Sequence, residues 1–194
     1  MADVQAATAV DPKDHSRPAE RKRIKETVVL VEKDARTGKT IRIQQVGPNL
    51  VTDAGDRYYA QRGAVEAVTH TFNLGEMVVA KSGPVNTKTR TFGNFTGLGS
   101  TYTGRKTFSA GYPKTADSDT DNTGRTIDAV TYKTIYGTTE ANYTIRAVGI
   151  CRRTAATNSN GQLLSYKTLA TANYVQKTSS ITLTVYINHT FLGV

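Results

Sequence analysis

The most regular stretch of the chain is residues 181–191. Ile181, Leu183, Val185, Ile187 and Phe191 alternate there with Thr182, Thr184, Tyr186, Asn188 and Thr190. This is the period of a strand with one buried and one wet face, and it sends Leu183, Val185, Ile187 and His189 inward. Residues 77–80, 106–112, 126–136, 143–150 and 163–171 read as further strands, set apart by Gly, Asn and Ser clusters. Residues 24–33 and 39–46 flank Asp34-Ala35-Arg36-Thr37-Gly38, a hairpin connection in which Gly38 is available for a positive φ. In its second strand Ile41 and Ile43 alternate with Arg42 and Gln44, which predicts that the isoleucines face a core and the polar pair faces water. Gly47-Pro48 then stops the pairing. Residues 49–62 are the one good helix candidate, with Thr52 as N-cap, Asp53 and Asp56 near the positive dipole end, and a partial stripe of Val51, Tyr58, Tyr59 and Arg62. The Gly-, Thr- and Asn-rich residues 73–104 read as long loops that carry contacts rather than core. About eight strands and one short helix predict a mainly β fold, an antiparallel sandwich or jelly roll.

Composition sharpens this picture. Thirty-one of the 194 residues are Thr, ten are Tyr and none is Trp. Thr is stiff at χ1 and suits the wet face of a strand. Residues 1–23, with Pro12, Pro18 and few apolar side chains, show no strand or helix period and cannot bury a core. They read as an extended arm ordered by a neighbouring subunit, ahead of a single domain over residues 24–194. Net charge is +9. Residues 1–26 hold six basic and five acidic side chains, so most of that charge belongs to the body. The one basic cluster, Arg21, Lys22 and Arg23 with Lys25, is the candidate interface of the arm. No aromatic-flanked basic motif accompanies it, so the charge suits an acidic protein surface better than nucleic acid. No run approaches the ~20 apolar residues of a membrane helix, and nothing resembles a signal peptide, so a soluble chain is expected.

Candidate chemistry is sparse. The single cysteine, Cys151, lies in an apolar stretch and reads as a buried, inert thiol suited to a reducing cytoplasm. His15, His70 and His189 are far apart in sequence, and His189 reads as a core or interface histidine. Gly38-Lys39-Thr40 lacks the upstream glycine of a phosphate loop and lies in a hairpin turn. Nothing in the pattern assembles a nucleophile, a base and an orienting group. Asp117, Asp119 and Asp121 alternate, and Asp128 falls where a calcium loop has its twelfth ligand. Asn122 stands in place of the sharp-turn glycine and Asp128 in place of a bidentate Glu. These departures favour an acidic turn held by Asx hydrogen bonds, with calcium as the alternative and no other cofactor expected.

The stretch Gly47-Pro48-Asn49-Leu50-Val51-Thr52-Asp53-Ala54-Gly55-Asp56 resembles a segment found in many structural proteins of tailed bacteriophages, Asn-Leu-Val/Ile-Thr-Asp/Asn-Ala-Gly leading into a helix. Gly111-Tyr112-Pro113-Lys114, Val130-Thr131-Tyr132-Lys133-Thr134-Ile135-Tyr136 and Ser180-Ile181-Thr182-Leu183-Thr184-Val185 look like the same class. Ala147-Val148-Gly149-Ile150 sits where such proteins have a Glu-Ile/Val-Gly-Leu-type strand, although Arg146 and Ala147 depart from the acidic residue found before it. The likeness spans residues 47–190. It implies a virion component without enzymatic activity, assembled in the host cytoplasm. The leading expectation is a capsid decoration (cement) protein that binds the major capsid protein or other virion proteins, bridges capsomers through its arm and recurs as a homo-oligomer in the assembly. A neck, tail or fibre-base component is the alternative. A carbohydrate-binding sandwich presenting Tyr58, Tyr59, Tyr102 or Tyr112 is the reading from another class. The Asp-rich loop makes its own prediction: if it binds calcium, a chelator lowers the melting temperature, excess calcium restores it, and Asp119→Ala abolishes the response.

Overall fold

The computed structural model describes residues 24–63, 75–91, 95, 104–116, 129–153 and 161–191. The chain opens with the expected hairpin, β1 (Ile24–Asp34) and β2 (Thr40–Val46). Its turn is tied by the Asp34 carboxylate. One oxygen accepts from the Thr37 hydroxyl (2.7 Å) and from the N–H groups of Thr37 (2.6 Å) and Arg36 (3.1 Å). Gly38 supplies the left-handed φ of +69°. These bonds, that from the Thr37 hydroxyl foremost, hold the Asp34 carboxyl below its ordinary value.

The hairpin joins a five-stranded sheet in the order β2-β1-β12-β7-β6, with β12 (Ile181–Phe191), β7 (Ala129–Tyr136) and β6 (Lys114–Ala116). Every pairing is antiparallel. β1 and β12 pair over their whole length, from Ile24 opposite Phe191 to Asp34 opposite Ile181. Val28 and Leu30 of β1 and Leu183, Val185 and Ile187 of β12 are fully buried on the inner face. The phase of β12 is as expected from its alternation.

The phase of β2 is the reverse of that expected. Ile41 and Ile43 are 57% and 65% exposed, while Gln44 and Val46 are buried. The register explains this: Val28 sits opposite Val46, Leu30 opposite Gln44 and Glu32 opposite Arg42. Partners across a ladder share a face, so the inward phase of β1 carries Arg42 and Gln44 inward with it. That corner of the inner face is polar. Gln44 Nε2 donates to the buried Glu32 carboxylate (3.2 Å), and Arg42 reaches past the core to donate to the Ala172 carbonyl (2.6 Å).

The second five-stranded sheet has the order β3-β10-β9-β4-β5. It comprises β3 (Leu50–Val51), β10 (Gly161–Thr168), β9 (Ala147–Arg153), β4 (Glu76–Ala80) and β5 (Arg105–Thr107). Met77, Val79, Val148, Ile150 and Leu164 meet the first sheet's inner face in one cluster, giving an antiparallel sandwich. A third pairing joins β8 (Thr144–Ile145) to β11 (Val175–Gln176). Two expected strands depart from the sequence reading. Of the segment 106–112 only Lys106 and Thr107 are strand, at the end of β5; the chain then turns at Gly111 (φ +78°), and β6 starts at Lys114 in the other sheet. Arg146 separates β8 from β9, its N–H donating to the Ala80 carbonyl (2.8 Å).

All five residues of β4 are buried, as the apolar run Met77 to Ala80 demands when both faces of a strand are covered. The cover on the outer side corrects the reading of residues 73–104 as contact loops. Phe95 is fully buried and packs edge-on against Tyr166, in a second cluster with Val78, Ala80, Cys151 and Leu163. Hydrogen bonds stitch this segment to the sheet, from the Thr87 N–H to the Tyr166 hydroxyl (2.6 Å) and from Thr168 Oγ1 to the Pro84 carbonyl, and Ser82 Oγ donates to the Phe95 carbonyl within the segment.

The expected helix, α1 (Asp53–Gly63), starts where the sequence placed it. Thr52 Oγ1 accepts from the Gly55 N–H (3.0 Å) and donates to the Leu163 carbonyl (2.5 Å), so one hydroxyl caps the helix and anchors it to β10. A Cβ on Gly55 would lie 2.0 Å from the Leu164 carbonyl oxygen, so only glycine lets the helix approach so closely. From the strand phases, Leu183→Ala should lose ~2–5 kcal/mol of unfolding free energy, measured by urea titration. Thr184→Ala, on the opposite face of β12, should lose much less.

Candidate docking surface

The inner face of the first sheet carries polar side chains within the core. Glu26 and His189 lie opposite each other in register and are fully buried, with His189 Nε2 2.7 Å from Glu26 Oε1. The rings of Tyr132 (4.8 Å between centroids) and Tyr59 (5.4 Å) enclose the imidazole. Burial raises both phenols above their ordinary range. Tyr58 packs against the main core. Two of the four tyrosines considered for a sugar site are therefore spent on packing. A third, Tyr112, lies under the Lys133 ammonium (5.4 Å), and Tyr102 lies outside the described residues.

Cys151 is fully buried, and burial pushes its thiol up to about 12. At neutral pH it is a packing group, as its apolar surroundings in the sequence implied. Beside it the Glu76 carboxylate and the Arg105 guanidinium form a buried ion pair between β4 and β5. Lys177 is buried too, and its three donors are all used, on the Gly137 carbonyl (2.8 Å), Asn142 Oδ1 (3.0 Å) and the Thr178 carbonyl (3.0 Å).

The outer face of the first sheet is different. Reading across its strands by register, Ile43, Val31, Thr184 and Ile135 form one row. Four strands at ~4.8 Å spacing make this row about 14 Å wide. Ile43 is 65% and Ile135 42% exposed, and Ile41 adds to the row at the edge. The next row holds Gln45, Val29, Tyr186 and Lys133, with the Lys133 ammonium 5.5 Å above the Tyr186 ring. Beyond it Thr27, Asn188 and Thr131 follow, and Thr131 Oγ1 donates to Asn188 Oδ1 (2.8 Å). The face thus grades from aliphatic at the hairpin end to polar at the other. Exposed Lys33, Arg36 and Lys39 border the aliphatic end.

Of the residues singled out in the sequence, Asp117, Asp119, Asp121, Asp128, Arg21, Lys22 and Arg23 lie outside the described residues, as does the arm itself. Lys25 lies in β1, opposite Thr190. Among the described residues no group of three or more His, Cys, Asp or Glu is placed to hold a metal, and no helix is long and apolar enough to cross a membrane. Sequence reasoning missed the exposed row because it sent Ile41 and Ile43 inward. A warning was present in Val46, which lies on the opposite phase from both. No protein-family model, curated protein or solved structure matches the chain.

The row's exposure yields a prediction. Ile43→Thr combined with Ile135→Thr should change unfolding free energy by no more than about 0.5 kcal/mol per site. The same variant should elute earlier from a hydrophobic-interaction column.

Proposed function

We propose that the chain is a structural subunit of a tailed-phage particle, and that it binds the capsid shell as a decoration protein. The observation that carries the structural role is the outer-face row Ile43–Val31–Thr184–Ile135, in which Ile43 and Ile135 stand exposed on either side of half-buried Val31 and buried Thr184. Contiguous exposed apolar surface bordered by polar groups is characteristic of protein-docking faces. Its contrast with the second sheet, whose outer face is covered by Phe95 and its neighbours, supports the same reading. The phage setting rests on the sequence resemblance over residues 47–190. The basic border of Lys33, Arg36 and Lys39 suits an acidic shell surface. A sugar-binding role has less support, because Tyr58 and Tyr59 pack inward.

Particles assembled in the presence of the wild-type chain and of two variants test the proposal. One variant lacks residues 1–23; the other carries Ile43→Lys and Ile135→Lys. Both should melt cooperatively in isolation and both should fail to be retained by purified particles. Quantitative mass spectrometry of wild-type particles should find the chain in numbers comparable with the capsomers. A few copies per particle would instead place it at the neck or tail, and undiminished retention of both variants would refute the docking role.

A further inference from the structure

The backbone of β2 adds something that the apolar row does not. The Asp34 N–H donates to the Lys39 carbonyl (2.9 Å) and the Asn49 N–H to the Glu26 carbonyl (3.2 Å), so the even-numbered residues of β1 turn their backbone groups toward β2. The Ala35 N–H donates to the Ser180 carbonyl, so the odd-numbered ones face β12. Carried across the register, Arg42, Gln44 and Val46 bond to β1, while the N–H and C=O of Ile43 and Gln45 point away from the sheet. No described strand lies beyond them. The other three edges of the two large sheets are short: three residues in β6, two in β3 and three in β5. β2 has seven residues, or about 24 Å of edge. Folded proteins usually shorten or shield such an edge, and this one carries two exposed isoleucines beside it.

The edge leads into a cleft of about 610 Å³. Its lining includes Gln45, Val46, Val85, Asn86, Lys167 and Asn173. Val85 is 79% exposed at this cleft. Lys167 Nζ donates to the carbonyls of Gly47 (3.2 Å) and Pro48 (3.0 Å) and, among the described residues, has no carboxylate partner. The opposite end of the edge carries Lys33, Arg36 and Lys39. The nearby carboxylates are already engaged, Asp34 by its own turn and Glu32 by Gln44 and Arg42. The groove is therefore aliphatic in the middle and cationic at both ends.

We propose that β2 and the adjoining cleft capture an extended acidic segment of a partner protein by adding it to the first sheet as a sixth strand. The segment has apolar side chains at alternate positions, matching Ile43 and its row, and a carboxylate toward each end. Main-chain bonds to Ile43 and Gln45 hold it, and the lysines set its charge. The proposal rests on the reading of the chain as an assembling subunit only for where the partner comes from.

The test uses the full-length isolated chain and two end-blocked peptides, Asp-Thr-Val-Thr-Val-Thr-Asp and the same sequence with Lys at both ends. Amide NMR titration should show the acidic peptide shifting Ile43 and Gln45 and slowing their hydrogen exchange at least tenfold. The lysine peptide should bind at least tenfold more weakly. Ile43→Pro removes an outward N–H while sparing the β1–β2 bonds, so it should fold and lose binding. Lys33→Glu with Lys39→Glu should narrow or invert the preference between the peptides. Unmoved edge amides or equal binding of the two peptides would overturn the proposal. So would edge protection that rises with protein concentration alone, which makes a second copy the occupant, or a stronger response to an oligonucleotide. Because no particle is involved, peptide binding without particle retention would refute the phage reading alone, and retention without peptide binding would refute this proposal alone.

Discussion

The pairing of β1 with β12 is the constraint on which the rest of the structure depends. Eleven residue pairs align two strands separated by more than a hundred residues of chain, and they occupy the middle of the first sheet. Slipping that ladder by one residue would turn Val28, Leu30, Leu183, Val185 and Ile187 out of the core together. The same register sets the phase of β2 on one side and of β7 on the other. Hence the buried side of the sandwich and the bare row on its back are two consequences of one alignment. A hairpin able to choose its own phase would bury Ile41 and Ile43; held by β1, it presents them to the outside.

The two sheets treat their outer faces in opposite ways. On the second sheet β4 is apolar on both sides, and the segment that contributes Phe95 supplies the missing layer. On the first sheet the back is threonine-rich, with its aliphatic groups gathered at the hairpin end, and no comparable layer covers it among the described residues. Threonine makes this face tolerable in water, because each side chain offers a methyl to the pleat and a hydroxyl to solvent. The face can thus stay hydrated alone and still lose water readily against a partner.

What the sequence revealed followed from strictly local rules. The alternation in β12 gave both its boundaries and its buried side. The Asp34 to Gly38 turn, the Thr52 cap and the inert Cys151 were readable because each depends on near neighbours in the chain. The phase of β2 was not, since it is imposed by Val28 and Leu30, and the run Val28-Val29-Leu30-Val31 has no alternation from which to tell which pair is buried. The structural role of Phe95 was hidden because its cover for β4 depends on contacts distant in sequence. The early end of the strand expected over residues 106–112 was not legible, because Gly111 reads locally as any turn glycine. Of the candidate site, Lys33, Arg36 and Lys39 are visible as charges, but an open edge is a property of strand order, which no single segment encodes.

The separation of β1 from its central partner also sets the conditions of synthesis. Val28-Val29-Leu30-Val31 leaves the ribosome more than a hundred residues ahead of Ile181 to Phe191 and waits for that strand to be made. During that interval it is a short, strongly β-forming apolar run without its native neighbour on one side, the kind of segment that seeds aggregation. Glu26 and Lys25 precede it and Glu32 and Lys33 follow it, charges placed as gatekeepers around a run that cannot be avoided. The two glutamates are buried in the finished fold. Their cost there is set against keeping the nascent chain apart from its copies until β12 arrives.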